Sequence, residues 1–389
     1  MKKILYLTFY FEPDLCAGSF RNSPLVWELG QQTKGRAEID VITTFPNRYE
    51  SFKMKASGKE VKDNVTVHRI QLPAHKSGMK DQIVSFKAYY TEALKLTKGK
   101  KYDLVIASSS RLFTAYLGYK IASKNNTPLY LDIRDIFYDT MEDVLKSKLI
   151  KTFALPVIKQ IERKTFSYAT HINLISEGFQ PYFTPYDKAN YSYFTNGIDQ
   201  IFIDNNASSN FEDKYPKKIV YAGNLGEGQG LDKIIPEAAK LLGNHYEFTI
   251  IGDGGIKQRL IDKVNELKLT NVKFSNPIKR NELIKVYEEC DYTFVHLNDY
   301  EAFKKVLPSK IFELACFPQP MIAGVGGYAN SFVDEHVENK ILFNPCDVDD
   351  FVTQLKNFEY KRFKREMFIN KFKRSTINKN MVASMLEYL

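Results

Sequence analysis

Apolar residues fall in short runs along this chain, each closed by turn residues and followed by a longer segment of helical spacing. The runs Lys3 to Phe9, Ala37 to Thr43, Val65 to Gln71, Tyr102 to Ala107, Leu129 to Ile133 and Thr170 to Ile175 have the length and composition of buried strands. Helical patterns lie between many of them, which predicts a doubly wound parallel sheet. The alternation restarts at Lys218, with strand-like runs at Ile219 to Ala222, Phe248 to Ile251, Val272 to Phe274 and Tyr292 to Leu297. Residues 178–217 are rich in Tyr, Asn, Asp and Pro and read as a connection, with a boundary near Asn196. The expectation is two α/β domains, 1–195 and 196–367, and a helical end from about Phe368.

Three strand ends of the second half carry glycine or polar residues: Gly223-Asn224-Leu225-Gly226 followed by Gln229-Gly230, Gly252-Asp253-Gly254, and the loop before Pro308. In an open parallel sheet, ligands bind at the carboxyl ends of strands. The segment Pro308-Ser309-Lys310-Ile311-Phe312-Glu313-Leu314-Ala315 is the richest in chemistry. Ser309 would cap a helix whose first N–H groups favour an anion. Lys310 and Glu313, three residues apart, would share one face. Glu313 could accept two hydrogen bonds from a vicinal diol such as a ribose. A phosphate end and a diol end one turn apart describe a nucleotide clamp. The same residues also describe a capped surface helix with an ion pair, and spacing alone does not choose.

Composition narrows the class. The chain has 389 residues, 44% of them hydrophobic and 14% aromatic, which suits packed cores and not disorder. A net charge of +9 points to anionic partners such as phosphates or an anionic membrane face. The lysines are dispersed and no recognition module is visible, so nucleic acid is disfavoured. The cysteines Cys16, Cys290, Cys316 and Cys346 lack metal spacing and fit a reducing compartment. The histidines are scattered, so no metal is expected. No apolar run approaches the roughly 20 residues of a spanning helix. The apolar start is broken by Glu12, Pro13 and Asp14, so the expected location is cytoplasmic.

The ordered set Gly223-Asn224-Leu225-Gly226, Gly252-Asp253-Gly254, Pro308-Ser309-Lys310 and Glu313 resembles the donor half of a GT-B glycosyltransferase. The resemblance is to retaining family 4, in its O-antigen, capsule and colanic-acid type branch. Phe9-Tyr10-Phe11-Glu12-Pro13, Ala17-Gly18-Ser19, Arg21, Asp132-Ile133-Arg134-Asp135, Ser176-Glu177-Gly178 and Asn196-Gly197-Ile198-Asp199 resemble that branch's first half and interdomain region. The resemblance implies two Rossmann-like domains facing a central cleft, with acceptor bound by the first and nucleotide-sugar by the second. It also implies a terminal helix, 368–389, crossing back to the first domain.

By the same resemblance Glu313 holds the ribose and Lys310 lies near the diphosphate. Gly18, in the loop after the first strand, lets backbone approach the phosphates. Asn276 and Pro277 lie where relatives hold the base, and Asp253 lies at the donor-side glycine turn or caps the next helix. Four positions depart from the pattern. Lys305 stands where a glutamate facing the donor sugar is usual. Asn224 and Gln229 stand where Arg and Lys are usual, and Arg134 stands near a customary histidine. Arg134, Asp135, Lys305 and Lys310 are thus the candidates for chemistry, with Asp135 beside the acceptor hydroxyl. An internal Arg134–Asp pair is the structural alternative.

The implied reaction moves a sugar, possibly N-acetylated or deoxy-amino, from UDP to a polyprenyl-diphosphate-linked glycan of a bacterial surface polysaccharide. UDP-sugar is a substrate, and no cofactor is expected. The alternatives are an isomerase like UDP-N-acetylglucosamine 2-epimerase and a silent nucleotide-sugar-binding scaffold. Basic amphipathic stretches also suggest peripheral docking on the inner face of the cytoplasmic membrane. One holds Ile83, Phe86, Tyr90 and Leu94, with Lys76 among its lysines. The other holds Leu145, Leu149, Ile150, Phe153 and Leu155 among Lys146, Lys148 and Lys151. Lys361-Arg362-Phe363-Lys364-Arg365 reads as a solvated helix face.

Overall fold

The computed structural model describes all residues except 15, 48–55, 74–78, 110–111, 145–147 and 211–213. Met1–Thr195 with Ile377–Leu389 form one compact unit and Asn196–Thr376 a second.

The first unit is built on eight strands: β1 (Lys2–Leu7), β2 (Ala37–Thr44), β3 (Lys59–Lys62), β4 (Val65–Ile70), β5 (Leu104–Ser109), β6 (Leu129–Ile133), β7 (His171–Leu174) and β8 (Asn190–Ser192). They lie in the order β3-β4-β2-β1-β5-β6-β7-β8. Every neighbouring pair is parallel except β3 with β4, which is antiparallel. β3 is Lys-Glu-Val-Lys and β8 is Asn-Tyr-Ser, so neither has the apolar run that marks a buried strand. Both are edge strands, and charge on an edge discourages pairing with other chains.

Period-two alternation sorts the sheet's two faces. Ile4, Tyr6, Ile39, Val41, Val67, Ile106 and Tyr130 form one core with Leu25, Val26 and Leu29 of helix α1 (Ala17–Thr33) and with Met381, Val382 and Met385. The last three come from helix Arg374–Leu386. The segment that joins the first unit starts at Ile377, later than the expected Phe368. Phe368 and Phe372 stay with the second unit because their rings pack on Phe312, centroids 6.1 and 5.4 Å away.

On the opposite face Gly118 of helix α3 (Leu112–Ala122) sits close over Ala107 and Leu129. Beside α3 lie α2 (Met79–Leu96) and α5 (Lys148–Phe166), the latter following α4 (Phe137–Val144). The two stretches expected to dock on a membrane behave differently. In α2 the rings of Phe86 and Tyr90 pack inward, against Phe113 and Tyr116, while Ile83 is exposed. In α5, Ile150, Phe153 and Val157 form an exposed apolar stripe, 53%, 70% and 55% accessible. Lys76, Leu145, Lys146 and the side chains of Lys148 and Leu149 lie outside the described residues. Among the described residues no helix is long and apolar enough to cross a membrane.

The second unit has six strands, all parallel: β9 (Lys217–Asn224), β10 (Tyr246–Asp253), β11 (Val272–Ser275), β12 (Tyr292–His296), β13 (Met321–Gly324) and β14 (Lys340–Phe343). Their order is β11-β10-β9-β12-β13-β14. The chain runs outward from β9 to β11, then returns to β12 on the other side of β9. That reversal places a ligand crevice at the carboxyl ends of β9 and β12. The basic cluster 361–365 is not a solvated helix face. Residues 357–365 are irregular, and Arg365 is buried with its guanidinium donating to the carbonyls of Glu338, Gln319 and Asn339. Loop carbonyls that no strand receives need donors, and one guanidinium serves several of them.

Candidate functional site

In the second unit, β9 and β10 end side by side, Gly223 level with Gly252 and Asn224 with Asp253. A side chain on Gly252 would run into the Gly223 carbonyl, and one on Gly254 into the Leu225 backbone. Glycine is therefore required for the two turns to nest. The turn after β9 is closed from within. Asn224 Nδ2 donates to Gln229 Oε1 over 2.9 Å, which also accepts from the Gly226 N–H at 3.2 Å. Tyr221 Oη donates to the Asn224 carbonyl at 2.7 Å. The two residues in place of the expected cations thus bond each other, and their amides shape the turn. Gly230 ends it in the left-handed region, φ 57°, where helix Leu231–Leu242 begins.

β12 fastens this turn from the other side. His296, buried at the strand's end, lies between the Gln229 carbonyl (Nδ1, 2.6 Å) and the Cys346 N–H (Nε2, 3.0 Å). Those partners require Nδ1 to carry the proton and Nε2 to accept. Burial holds the imidazole neutral, its pKa down at about 4. Asn298 donates to the Glu227 carbonyl at 2.9 Å and accepts from Lys233 Nζ at 2.9 Å. Phe303, in the 3-10 turn Glu301–Lys305, covers Gly228 so closely that a side chain there would displace its ring. Lys305 closes that turn, half-buried.

The Pro308 segment folds differently from its sequence reading. The helix is a single short one, Lys310–Leu314, and Ser309 does not cap it. Ser309 has helical backbone angles (φ −59°, ψ −24°), whereas a capping side chain needs an extended residue to reach back. The Lys310–Glu313 pair does form, Nζ to Oε2 at 3.2 Å. Glu313 also faces Arg280 Nη2 at 3.9 Å, and Arg280 bonds Asp199 at 3.0 Å. Asp199 in turn receives Arg374, which also donates to the carbonyls of Asn196 and Gly197. Five alternating charges thus lead from Arg374 to Lys310. The sequence offered no hint of Arg280 beyond a basic residue opening a helix, and His296 read only as strand. Asn276 and Pro277 are exposed after β11, with Asn276 accepting from Lys257 Nζ at 2.9 Å. Asp253 is exposed and accepts from its neighbour Gly254, so it caps no helix.

In the first unit, the candidates gather at the carboxyl ends of β1 and β6. Gly18 lies in the first turn of α1 and not in a loop. A Cβ there would stand 3.0 Å from the Tyr10 ring and 3.2 Å from Arg134 Nη1. Asp132 is fully buried and pairs with Arg21, not Arg134. Arg21 Nε and Nη2 donate to its two oxygens at 2.9 and 2.8 Å, and Ser108 and Asn173 add one hydrogen bond each. Arg21 also donates to the Thr195 and Phe194 carbonyls. Burial alone would raise the Asp132 pKa, but Arg21 outweighs it and holds the carboxyl below its usual range. Asp135 presents its side chain to solvent, yet protein crowds its carboxyl and pushes the pKa up to about 6 against the pull of Arg134. Among the described residues no cluster of three or more His, Cys, Asp or Glu could hold a metal.

Two doubly wound parallel-sheet units, the second with nested glycine turns at its switch point, define the GT-B architecture of glycosyltransferases. Residues 202–375 match the family model described as glycosyl transferases group 1. WcaI of Escherichia coli (strain K12), named for glycosyl transfer in colanic acid biosynthesis, is 33% identical over 95 residues. That match covers 24% of this chain and 23% of WcaI, about a quarter of the relative's length. Among solved structures, Anabaena Alr3699/HepE in complex with UDP matches over 100% of both chains, with TM-score 0.66 and 16% identity. The apo lipopolysaccharide outer core galactosyltransferase WaaB matches over 100% of both, with TM-score 0.65 and 15% identity. At such identities the likeness establishes the fold.

Proposed function

We propose that this protein is a retaining glycosyltransferase that moves a sugar from UDP to a polyprenyl-diphosphate-linked glycan of a bacterial surface polysaccharide. The observation that carries this reading is Glu313 held between Lys310 and Arg280 on the unit whose switch point carries the nested glycine turns. A carboxylate there suits a ribose diol, and the adjacent cations suit a diphosphate. The crystal structures of HepE in complex with UDP and with UDP-glucose support a uridine donor. The names of WcaI and WaaB support a polysaccharide or lipopolysaccharide acceptor.

In this reading the second unit binds the donor. Glu313 takes the ribose, and Asn276 and Pro277 border the base. Backbone N–H groups of Gly223 to Gly228, together with the start of the Lys310–Leu314 helix at Ser309, Lys305 and Lys310, receive the phosphates beside Gly252 and Asp253. The bond from the anomeric carbon to the β-phosphate oxygen breaks, and its electron pair leaves on UDP. The acceptor hydroxyl bonds the carbon from the same face, and its proton passes to the departing phosphate. Lys310 stabilises the growing negative charge. On the first unit Asp135 orients the acceptor hydroxyl, and Gly18 leaves space for backbone to approach a ligand. No metal takes part. The exposed stripe Ile150, Phe153 and Val157 supports shallow docking on an anionic cytoplasmic membrane face, where a lipid-linked acceptor resides.

Time-resolved NMR on the purified protein tests this reading. It would be mixed with UDP-hexoses and UDP-N-acetylhexosamines, with or without lipid-linked oligosaccharide extract. The expected result is extract-dependent UDP release and a product with the donor's anomeric configuration. Inverted product would overturn retention. A new UDP-sugar epimer without transfer would replace the proposal with an isomerase.

A further inference from the structure

Cations outnumber the acceptors available to them at the carboxyl end of β6. Arg21 and Arg134 both lie in the field of the buried Asp132. Arg21, Ser108 and Asn173 already fill both oxygens of that carboxylate with two hydrogen bonds each. Among the described residues the Arg134 side chain is left with attraction and no hydrogen bond. Its Nε is buried and has no acceptor among the described residues. Asp135, the next carboxylate, turns its side chain to solvent and makes no ion pair with it among the described residues. Buried guanidinium donors are nearly always satisfied, so an orphan asks for a partner that the chain does not supply.

The surroundings suit an anion. Nη1 packs close to Gly18 in the first turn of α1, where a Cβ would stand 3.2 Å from it. That turn carries no acidic residue, and its helix runs 17 residues. Arg21, close enough for its charge to act on Arg134, adds a second positive charge whose hydrogen bonds go to Asp132, Phe194 and Thr195.

We propose that Arg134 anchors an oxyanion-binding site on the first unit. Its ligand is a carboxylate or phosphate group carried by the substrate, as in an acidic sugar or a sugar phosphate. That the anion belongs to a sugar substrate rests on the function proposed above; the anion site itself does not.

The test is ligand-observed NMR on the full-length protein with three probes: glucuronate, inorganic phosphate and neutral glucose. The expected result is that at least one anion binds more tightly than glucose and that Arg134→Gln weakens it about 10- to 100-fold, the loss of one charge-assisted pair. Loss of glucuronate alone identifies a sugar carboxylate, and loss of phosphate alone identifies a phosphate group. Arg134→Lys, which keeps the charge and loses the planar fork, retains phosphate better than glucuronate and serves if the glutamine variant does not fold. If neither anion exceeds glucose, or if both variants bind as the parent does, the site is refuted. UDP titration of Glu313→Ala separates the two readings. UDP affinity lost there with no effect at Arg134 leaves the donor site standing and removes this inference. UDP affinity unchanged there, with anion binding lost at Arg134, does the reverse.

Discussion

Asp132→Asn is the most informative single substitution for the architecture of the first unit. The change is isosteric, so no cavity forms. The native carboxylate accepts four hydrogen bonds, from Arg21 Nε and Nη2, Ser108 and Asn173. An asparagine has one acceptor oxygen, and its amide sets a donor against donors at the other position. Arg21, 2% exposed, then keeps its charge without a counter-ion. Breaking one side of a buried pair typically costs about 3–5 kcal/mol. For a unit of this size that lowers its unfolding temperature by roughly 10 °C.

The chain's single tryptophan gives the assay its resolution. Trp27 lies in α1, in the first unit, and donates to Glu12 at 2.8 Å. Its fluorescence during urea unfolding therefore follows that unit. The companion is the double variant Arg21→Met/Asp132→Asn, which removes the stranded charge. It should be less destabilised than Asp132→Asn alone, with a coupling of about 2 kcal/mol or more. A cost below about 1 kcal/mol for Asp132→Asn, or strictly additive single and double variants, would refute the pair as the organising contact. The sign with pH is also determined. A carboxyl whose folded pKa is depressed contributes fully above its unfolded value, and the contribution is lost as pH falls toward the folded value. The parent's first unit should weaken steeply below about pH 4, and Asp132→Asn should flatten that limb.

Other outcomes follow from the second unit and the surface. Glu313→Ala should weaken UDP binding about 10- to 100-fold by calorimetry with an unchanged unfolding curve. His296, neutral with its pKa down at about 4 in the fold, contributes stability that is full above the unfolded value near 6.5 and falls as pH drops toward 4. Protection factors in the Gly226–Gly230 turn, normalised to intrinsic exchange at each pH, should therefore fall as pH drops through that window, and His296→Leu should remove the dependence. Gly254→Val should perturb both turns and abolish UDP binding, because the side chain meets the Leu225 backbone. Phe153→Asp should reduce sedimentation with phosphatidylglycerol vesicles several-fold, and equal sedimentation would exclude the stripe of α5 as a docking face.

The strands legible in the sequence were those dominated by buried apolar residues. β6 was read from Leu129 to Ile133, the bounds it has. Edge strands β3 and β8 carry polar residues and no such run, and β13 and β14 are only four residues long. Glycine positions were legible because a motif marks where backbone must approach backbone. Partner choice was not. Asp132 has an arginine two residues away and another more than a hundred away, and only the fold decides that the distant one binds it. The same holds for Asn224 and Gln229, whose mutual hydrogen bond exists only once the turn between them closes. Ser309 had the right residue type for a cap but helical backbone angles, which residue type does not specify.

That closed turn has a chemical consequence of its own. Both of its clamping side chains are carboxamides, so neither gains nor loses a proton anywhere in the range a cell experiences. Its weak point is slow hydrolysis. Deamidation of Asn224 would replace the donor that Gln229 Oε1 receives with a carboxylate oxygen, setting acceptor against acceptor with an added negative charge. Age is thus a condition to which this turn is sensitive in addition to the acidity that acts on it through His296, and intact-mass measurement on stored protein would follow it as a gain of about 1 Da per event.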